Sequence, residues 1–497
     1  MKKNALFLNT ATSLLLEVVT IISGFIVPRL ILRSYGSDIN GLVHSITEFL
    51  AIITYFEMGV GSVVRFNLYK PLNNGDDLQL SRIVKAANIF FRRLAKGLLV
   101  YVVILMLVYP IISRSQFGHL STAFLILSMS VSSFAQYYFG QVNQILVTAD
   151  EKGYIQYLAN IVVILLNMLV CVILIRSGAT IQVVKLGAAI VFLTKPVFLQ
   201  WYVKQHYHID PAVDYDEEPI KQKWNGVAQH ISAVVLDNTD VIILTSLSTL
   251  ANVSIYSTYN MVVRGLKKML STSVSGIQSR LGTLIAREHD QQLFRLFSLS
   301  EWTIHTITTF LFSCTCTLIV PFVMVYTRGV TDADYYVPIF ATLITLATAS
   351  FCYRIPYSIL ILSAGHYKQT QHNYIIAVVM NIVLSIILVY RYGLIGVAVG
   401  TLAAMIYQTV WMAWYCYTKL LVRPLLLFLK QIGTDIITFL LAVLLSQHFV
   451  NYELNYLSWM ILAIKVSCLT VLILLAVNAM LYRQNMMALI DRLFKRK

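Results

Sequence analysis

HISAVVLDNTDVIILTSLSTLANVSIYSTYNMVVRGLKKML, from His230 to Leu270, sets charge in the middle of two apolar runs. The first run carries Asp237, Asn238 and Asp240, and the second Asn260, Arg264, Lys267 and Lys268. Each is long enough to cross a bilayer as a helix, which takes about 20 residues. An ionisable side chain at the bilayer centre costs about 3 kcal/mol on insertion scales, so such groups face a bundle interior or a watery cavity. The stretch therefore predicts a membrane hairpin that lines an internal polar pathway.

The flanking sequence agrees. Of the 497 residues 58% are apolar and 12% charged, where a soluble domain has about a quarter charged. Apolar windows fall at 10–32, 40–62, 88–112, 120–146, 154–175, 181–202, 226–247, 253–278, 301–325, 337–362, 372–389, 394–418, 426–448 and 457–482. The expected fold is therefore all-α and polytopic, with about fourteen spans. Transmembrane strands are excluded because the runs are continuous rather than alternating.

Lys and Arg set the orientation. With the N-terminus inside, the cytoplasmic segments hold Lys2, Lys3, Arg65, Lys70, Lys221, Lys223, Arg280, Arg287, Lys419, Arg423, Arg483 and Lys497, among others. The outer loops hold Arg33, Arg114, Arg176, Arg328 and Arg391. That asymmetry places both termini in the cytoplasm. The net charge of +15 then reads as topology and contact with an anionic inner leaflet, not as nucleic-acid binding. The N-terminal run is interrupted by Glu17 and lacks a small-x-small cleavage site, so it is kept as span 1. All six cysteines fall in spans and are read as small hydrophobes. No disulfide, metal site, nucleotide loop or cofactor motif is expected.

Taken in order, span 1 carries Glu17 and ends at Pro28-Arg29. Span 2 places His44 and Glu48 on one face, with Glu57 deeper; Glu48 either pairs with Arg29 or is a working carboxylate. NLYKPLNNGDDLQLSRIV, from Asn67 to Val84, reads as a cytoplasmic loop around Pro71, Asn73, Asn74 and Gly75. Span 4 holds a ladder of Gln136, Gln141, Asn143 and Gln144, expected to hydrogen-bond between helices. Span 6 carries Lys195-Pro196, and span 10 has Arg354 just before Pro356. In spans 13 and 14, Lys465 is read as the only strongly ionisable intramembrane residue.

A polar connector divides the chain, and the sequence then partly repeats. A shift of 212 aligns Leu30–Ile46 with Ile242–Thr258, and a similar offset pairs Asn167 with Asn381. The expected organisation is a first lobe at 1–203, a linker at 204–225 and a second lobe at 226–420. Spans 13 and 14 follow at 421–482, then a basic amphipathic tail at 483–497. Two six-span repeats of the same orientation predict a substrate site between them near the midplane.

The cations Arg29, Lys195, Arg264, Lys267, Lys268 and Arg354 are the candidate anion-binding set, because Arg offers bidentate donors to phosphate and Lys a mobile charge. Asp237 and Asp240, with Glu17, Glu48 and Glu57, are the candidate counter-charges. They either neutralise the cations or take up a proton or sodium ion during transport.

YGSDINGLVHSITEFLAIITYFEMGVGSVVRFNLYKPL, the Lys195-Pro196 pair, YVKQHY with IKQKWNGVAQHI, and LDNTDVIILTSL resemble the bacterial polysaccharide repeat-unit flippases. These belong to the multidrug, oligosaccharidyl-lipid and polysaccharide exporter superfamily, and the resemblance covers essentially the whole chain. It implies a transporter of the bacterial cytoplasmic membrane, not an enzyme. The substrate implied is an undecaprenyl-diphosphate-linked oligosaccharide for capsule, O-antigen or exopolysaccharide, moved from inner to outer leaflet by alternating access. It further implies that Arg29 meets the diphosphate and that the last two helices hold the polyprenyl tail. The expected partners are that lipid, the bilayer, H+ or Na+, and other polysaccharide-assembly membrane proteins. Two rivals are a membrane polysaccharide polymerase or ligase, disfavoured by the short outer loops, and a drug exporter of the same superfamily, disfavoured by the cations of span 8.

Overall fold

The computed structural model describes residues 2–53, 57–113, 117–210, 212–213, 227–287, 290–450 and 455–487. Among these residues the secondary structure is helical, with no strand. Ten segments are long and apolar enough to cross a membrane, so the protein is an all-α, multi-pass membrane protein. Two of the ten, Phe7–Ala51 and Tyr367–Leu420, are double length. They bend at Gly36 (φ 83°) and Gly393 (φ 53°), where a glycine takes a positive φ that a side chain would oppose. The hairpin of the opening stretch forms α8 (Val227–Leu247) and α9 (Leu250–Ser273), which are not among the ten. Ten membrane-length segments are thus found among the described residues where about fourteen spans were expected, two of the ten being double length.

The expected loop at 67–84 is corrected. The helix of span 2 breaks after Ala51 in α1 (Lys2–Ala51) and resumes as α2 (Met58–Asn74), running through Pro71. The turn shrinks to Gly75, left-handed at φ 66°, and Asp76. Both residues donate their N–H to the Pro71 carbonyl, so the helix end is satisfied without a loop. Asp76 then caps α3 (Asp77–Ile112), its side chain accepting from Gln79 N at 2.9 Å.

The chain forms two compact units, Met1–Val234 with Thr249–Ser254, and Val235–Ser248 with Ile255–Lys497. In the first, α6 (Gly153–Arg176) packs against α1 and against α7 (Ile181–His206). Asn9 fastens α1 to the start of α6, accepting from Tyr154 N and donating to the Glu151 carbonyl, both at 2.6 Å. At the other end the Tyr35 hydroxyl reaches the Ala179 carbonyl at 2.6 Å. The end of α7 is tied by Tyr207, whose hydroxyl donates to Asp150 at 2.7 Å. Burial, then the Asp150 carboxylate, raises the pKa of this phenol above its ordinary value.

In the second unit α11 (Asp290–Tyr326) and α12 (Pro338–Ser363) meet around Phe297, Phe312, Cys352 and Tyr357. Next, α13 (Tyr367–Tyr415) folds back on itself at Gly393 and packs against α12. The last two helices, α14 (Leu426–Ser446) and α15 (Tyr456–Leu481), lie against α11. There the Trp302 indole donates to Asn478 Oδ1 at 2.7 Å, and the Trp459 indole to the Leu318 carbonyl at 3.2 Å. Of the expected tail, 483–487 is helical and 488–497 lies outside the described residues, as does most of the 204–225 linker.

Candidate functional site

The second unit gathers the polar residues of α8, α9, α12 and α13 around one small cavity of about 40 Å³, lined by Asp240, Asn260, Arg264, Lys267, Phe351 and Thr401 among others. That volume holds a few waters or an ion. Asp240, 2% exposed, accepts the Tyr256 hydroxyl at 2.9 Å and the Thr401 hydroxyl at 2.7 Å, both on Oδ2. Asn381 adds a long contact at 3.4 Å to Oδ1 and a firmer one to Thr401 Oγ1 at 3.0 Å. The Asn381 amide oxygen is buried without a hydrogen-bond partner. The Asp240 carboxylate and the Tyr256 and Thr401 hydroxyls bring hard oxygens together, suited to a proton or an alkali cation rather than a soft metal. Groups of three or more His, Cys, Asp or Glu side chains able to hold a metal ion are absent among the described residues.

Close packing inside α13 builds this cluster. Asn381 lies before the Gly393 bend and Thr401 after it, and the two halves approach at Gly396 and Gly400, a small-xxx-small pair. A Cβ on Gly400 would stand 2.8 Å from Ser385 N and 3.1 Å from the Asn381 carbonyl. One on Gly396 would strike the Leu388 backbone. Only bare glycines let the halves come near enough for Thr401 to reach Asn381 and Asp240.

The cations surround one ring. Lys267 Nζ lies 3.9 Å from the centroid of Phe351, and the Arg354 guanidinium 4.6 Å from it. Arg354, 6% exposed, donates to Gln408 Oε1 and sits behind Phe351 rather than at the cavity wall. Arg264 donates to Asn238 Oδ1 at 3.1 Å. Of the expected cations, Arg264 and Lys267 line the cavity with Asp240, and Lys268 is exposed. The side chain of Asp237 lies outside the described residues.

The remaining candidates lie in the first unit. Glu57 accepts from Gln141 Nε2, whereas Gln136 donates to Gln141 and Gln144 at 3.0 Å each and Asn143 to the Phe139 carbonyl at 2.8 Å, so most of the ladder expected between helices closes within its own span. It surrounds a π-helical turn at Gln136–Gly140, where one extra residue re-aims the side chains. Glu17, Arg29 and Glu48 are half-buried on α1. Lys195 lines an apolar cavity of about 660 Å³ with Leu158, Val162 and Phe198, with no second cation among its lining residues.

A second buried network was not anticipated. Asp435 on α14 accepts His305 Nδ1 at 2.6 Å and the Thr309 hydroxyl at 3.0 Å, and Glu301 accepts the Tyr357 hydroxyl at 2.7 Å and that of Tyr417 at 2.9 Å. These contacts bind α14 to α11, and α11 to α12. The reading of Lys465 as the lone ionisable residue of spans 13 and 14 is thereby corrected: Asp435 is the buried one, and Lys465 is exposed. A single acid inside span 13, with Glu301 and His305 four apart in span 9, was the available signal.

Solved structures share this architecture. The lipid II flippase MurJ in an inward closed conformation superposes with a TM-score of 0.73 at 14% identity, covering 96% of this chain and 99% of that one. An inward-facing multidrug resistance MATE family transporter of the MOP superfamily gives 0.63 at 14% identity, over 81% and 95%. A MOP superfamily transporter from Pyrococcus furiosus, described as having reverse polarity of its binding pocket, gives 0.53 at 13%, over 82% and 93%. The chain shares the fold of these transporters. No protein-family model matches it, and no curated protein matches by sequence.

Proposed function

We propose that this protein is a flippase for polyprenyl-diphosphate-linked oligosaccharides, moving repeat units for capsule, O-antigen or exopolysaccharide from the inner to the outer leaflet by alternating access. It works in the bacterial cytoplasmic membrane with both termini inside. The observation that carries this reading is the placement of Arg264 and Lys267 beside buried Asp240 around one cavity within a membrane-spanning bundle. A likeness of fold over nearly the whole chain to a lipid II flippase supports it.

In this reading Arg264 and Lys267 receive the diphosphate, with Arg29 from the first unit and Lys195 and Arg354 contributing positive potential. Asp240 competes with that anion for the same cations. When a proton or sodium ion occupies the oxygen cluster of Asp240, Asn381 and Thr401, the competition ends and the cations are free for substrate. Asp237, Glu17, Glu48 and Glu57 balance charge elsewhere along the path. The MATE-like fold leaves a drug-exporter reading in view, but such a pocket would be dominated by carboxylates, and here cations outnumber them at the cavity.

The test is polysaccharide export in cells carrying Arg264→Ala, with the membrane level of the variant measured in parallel. Export should fall about tenfold to a hundredfold at an unchanged protein level, as the loss of a charged hydrogen-bond partner implies. Normal export by the well-expressed variant would remove Arg264 from the path.

A further inference from the structure

At the end of the α14–α15 hairpin that carries Leu426 and Leu481, a second cavity of about 390 Å³ opens. That is the size of a small-molecule or headgroup site. Arg423 from the link before α14, Lys430 from α14 and Arg483 from just beyond α15 all line it. The cavity shares no lining residue with the one around Asp240.

The cations are positioned by neutral groups. Arg423 donates to Ser298 Oγ at 2.7 Å and to the Phe294 carbonyl at 3.2 Å, and stacks 4.9 Å above the Phe294 ring. Lys430 lies 4.9 Å above Tyr482 and makes a long contact of 3.4 Å to the Leu481 carbonyl. Among the described residues no carboxylate pairs with Arg423, Lys430 or Arg483. Glu301 is the one acid in the lining, and its oxygens are taken by the Tyr357 and Tyr417 hydroxyls. Arg423, held in place, and the exposed Lys430 and Arg483 stand against one engaged carboxylate and leave a net positive pocket.

Its rim is apolar. Leu427 is 46% exposed and Met480 83% exposed, and both line the cavity. In a membrane-spanning hairpin such side chains face acyl chains, so charge within and hydrocarbon at the mouth match the two ends of an anionic lipid. We propose that this cavity binds the phosphate of a membrane lipid, either the phosphodiester of a bilayer phospholipid or the diphosphate of a polyprenyl-linked one. Arg423 and Arg483 supply forked donors and Lys430 a point charge. On the orientation proposed above the site faces the inner leaflet.

The test uses the full chain in phosphatidylcholine nanodiscs, titrated with phosphatidylglycerol, with a polyprenyl diphosphate, or with inorganic pyrophosphate as a headgroup lacking a chain. Bound lipid is counted by native mass spectrometry and the thermal midpoint is followed. A phosphate lipid should bind and raise the midpoint, and Lys430→Gln and Arg483→Gln should each weaken binding about tenfold. Lys465→Gln, at an exposed cation of α15 outside the cavity, should leave it unchanged. Saturation by phosphatidylglycerol assigns the site to a bilayer lipid, and saturation by polyprenyl diphosphate alone to the transported class. The proposal is overturned if neither lipid binds better than phosphatidylcholine, or if pyrophosphate binds and the lipids do not. It is also overturned if a Lys430→Gln/Arg483→Gln variant with the wild-type lipid-free midpoint binds unchanged.

Discussion

Asp240 takes its hydrogen bonds from neutral donors, the Tyr256 and Thr401 hydroxyls and the Asn381 amide, although Arg264 lines the same cavity. A buried carboxylate held this way is stabilised by dipoles yet remains able to exchange a small cation. Asp240→Asn keeps the shape and removes the charge. Transport by this variant should lose its dependence on a sodium or proton gradient and fall about tenfold, as gradient-driven flipping measured at several ion concentrations would show. Unaltered ion dependence would move the coupling site elsewhere. Asp240 and Arg264 were legible because a charge inside an apolar run is conspicuous. Asn381 and Thr401 were not, since uncharged polar residues are common in membrane helices and theirs acquire a role only when α13 folds back. Lys268 stood in sequence beside Arg264 and Lys267 and is nonetheless exposed.

At the scale of one element, α13 decides whether the oxygen cluster exists. At its bend, a methyl group on Gly393 would meet no atom within 4 Å, so Gly393→Ala would cost backbone strain alone, about 1–3 kcal/mol. Gly400→Ala is different. It forces the halves apart against the Ser385 backbone, an overpacking cost of about 1–3 kcal/mol. Both variants should lower the thermal midpoint in detergent, and Gly400→Ala should also abolish the ion dependence ascribed to Asp240. Retention of that dependence would break the link between helix approach and coupling. The break between windows 372–389 and 394–418 anticipated the bend. It did not reveal that Gly396 and Gly400 are the contact surface, because small residues declare an interface only when the partner helix is known. The loop expected around Pro71 failed for the converse reason: strong turn residues yielded to a helix that had somewhere to end, at Gly75.

Across the whole molecule, hydropathy carried most of the fold, because a segment that crosses a bilayer must satisfy its own backbone and announces itself by length. The Lys and Arg asymmetry predicts the orientation, which independent labelling can check. A single cysteine at Asp332, in the connection between α11 and α12, should react with an impermeant maleimide added to intact cells, and one at Asn74 should not. The reverse pattern would invert the protein and place the phosphate cavity of α14 and α15 on the outer side. Function depends on more than fold, since flippase and drug exporter share this architecture. The most direct measurement is leaflet exchange of a labelled polyprenyl-diphosphate oligosaccharide in vesicles containing the purified chain. Wild-type protein should move the lipid across the bilayer well above protein-free vesicles and Arg264→Ala should not. Exchange no faster than in empty vesicles, or equal exchange by the variant, would contradict the account.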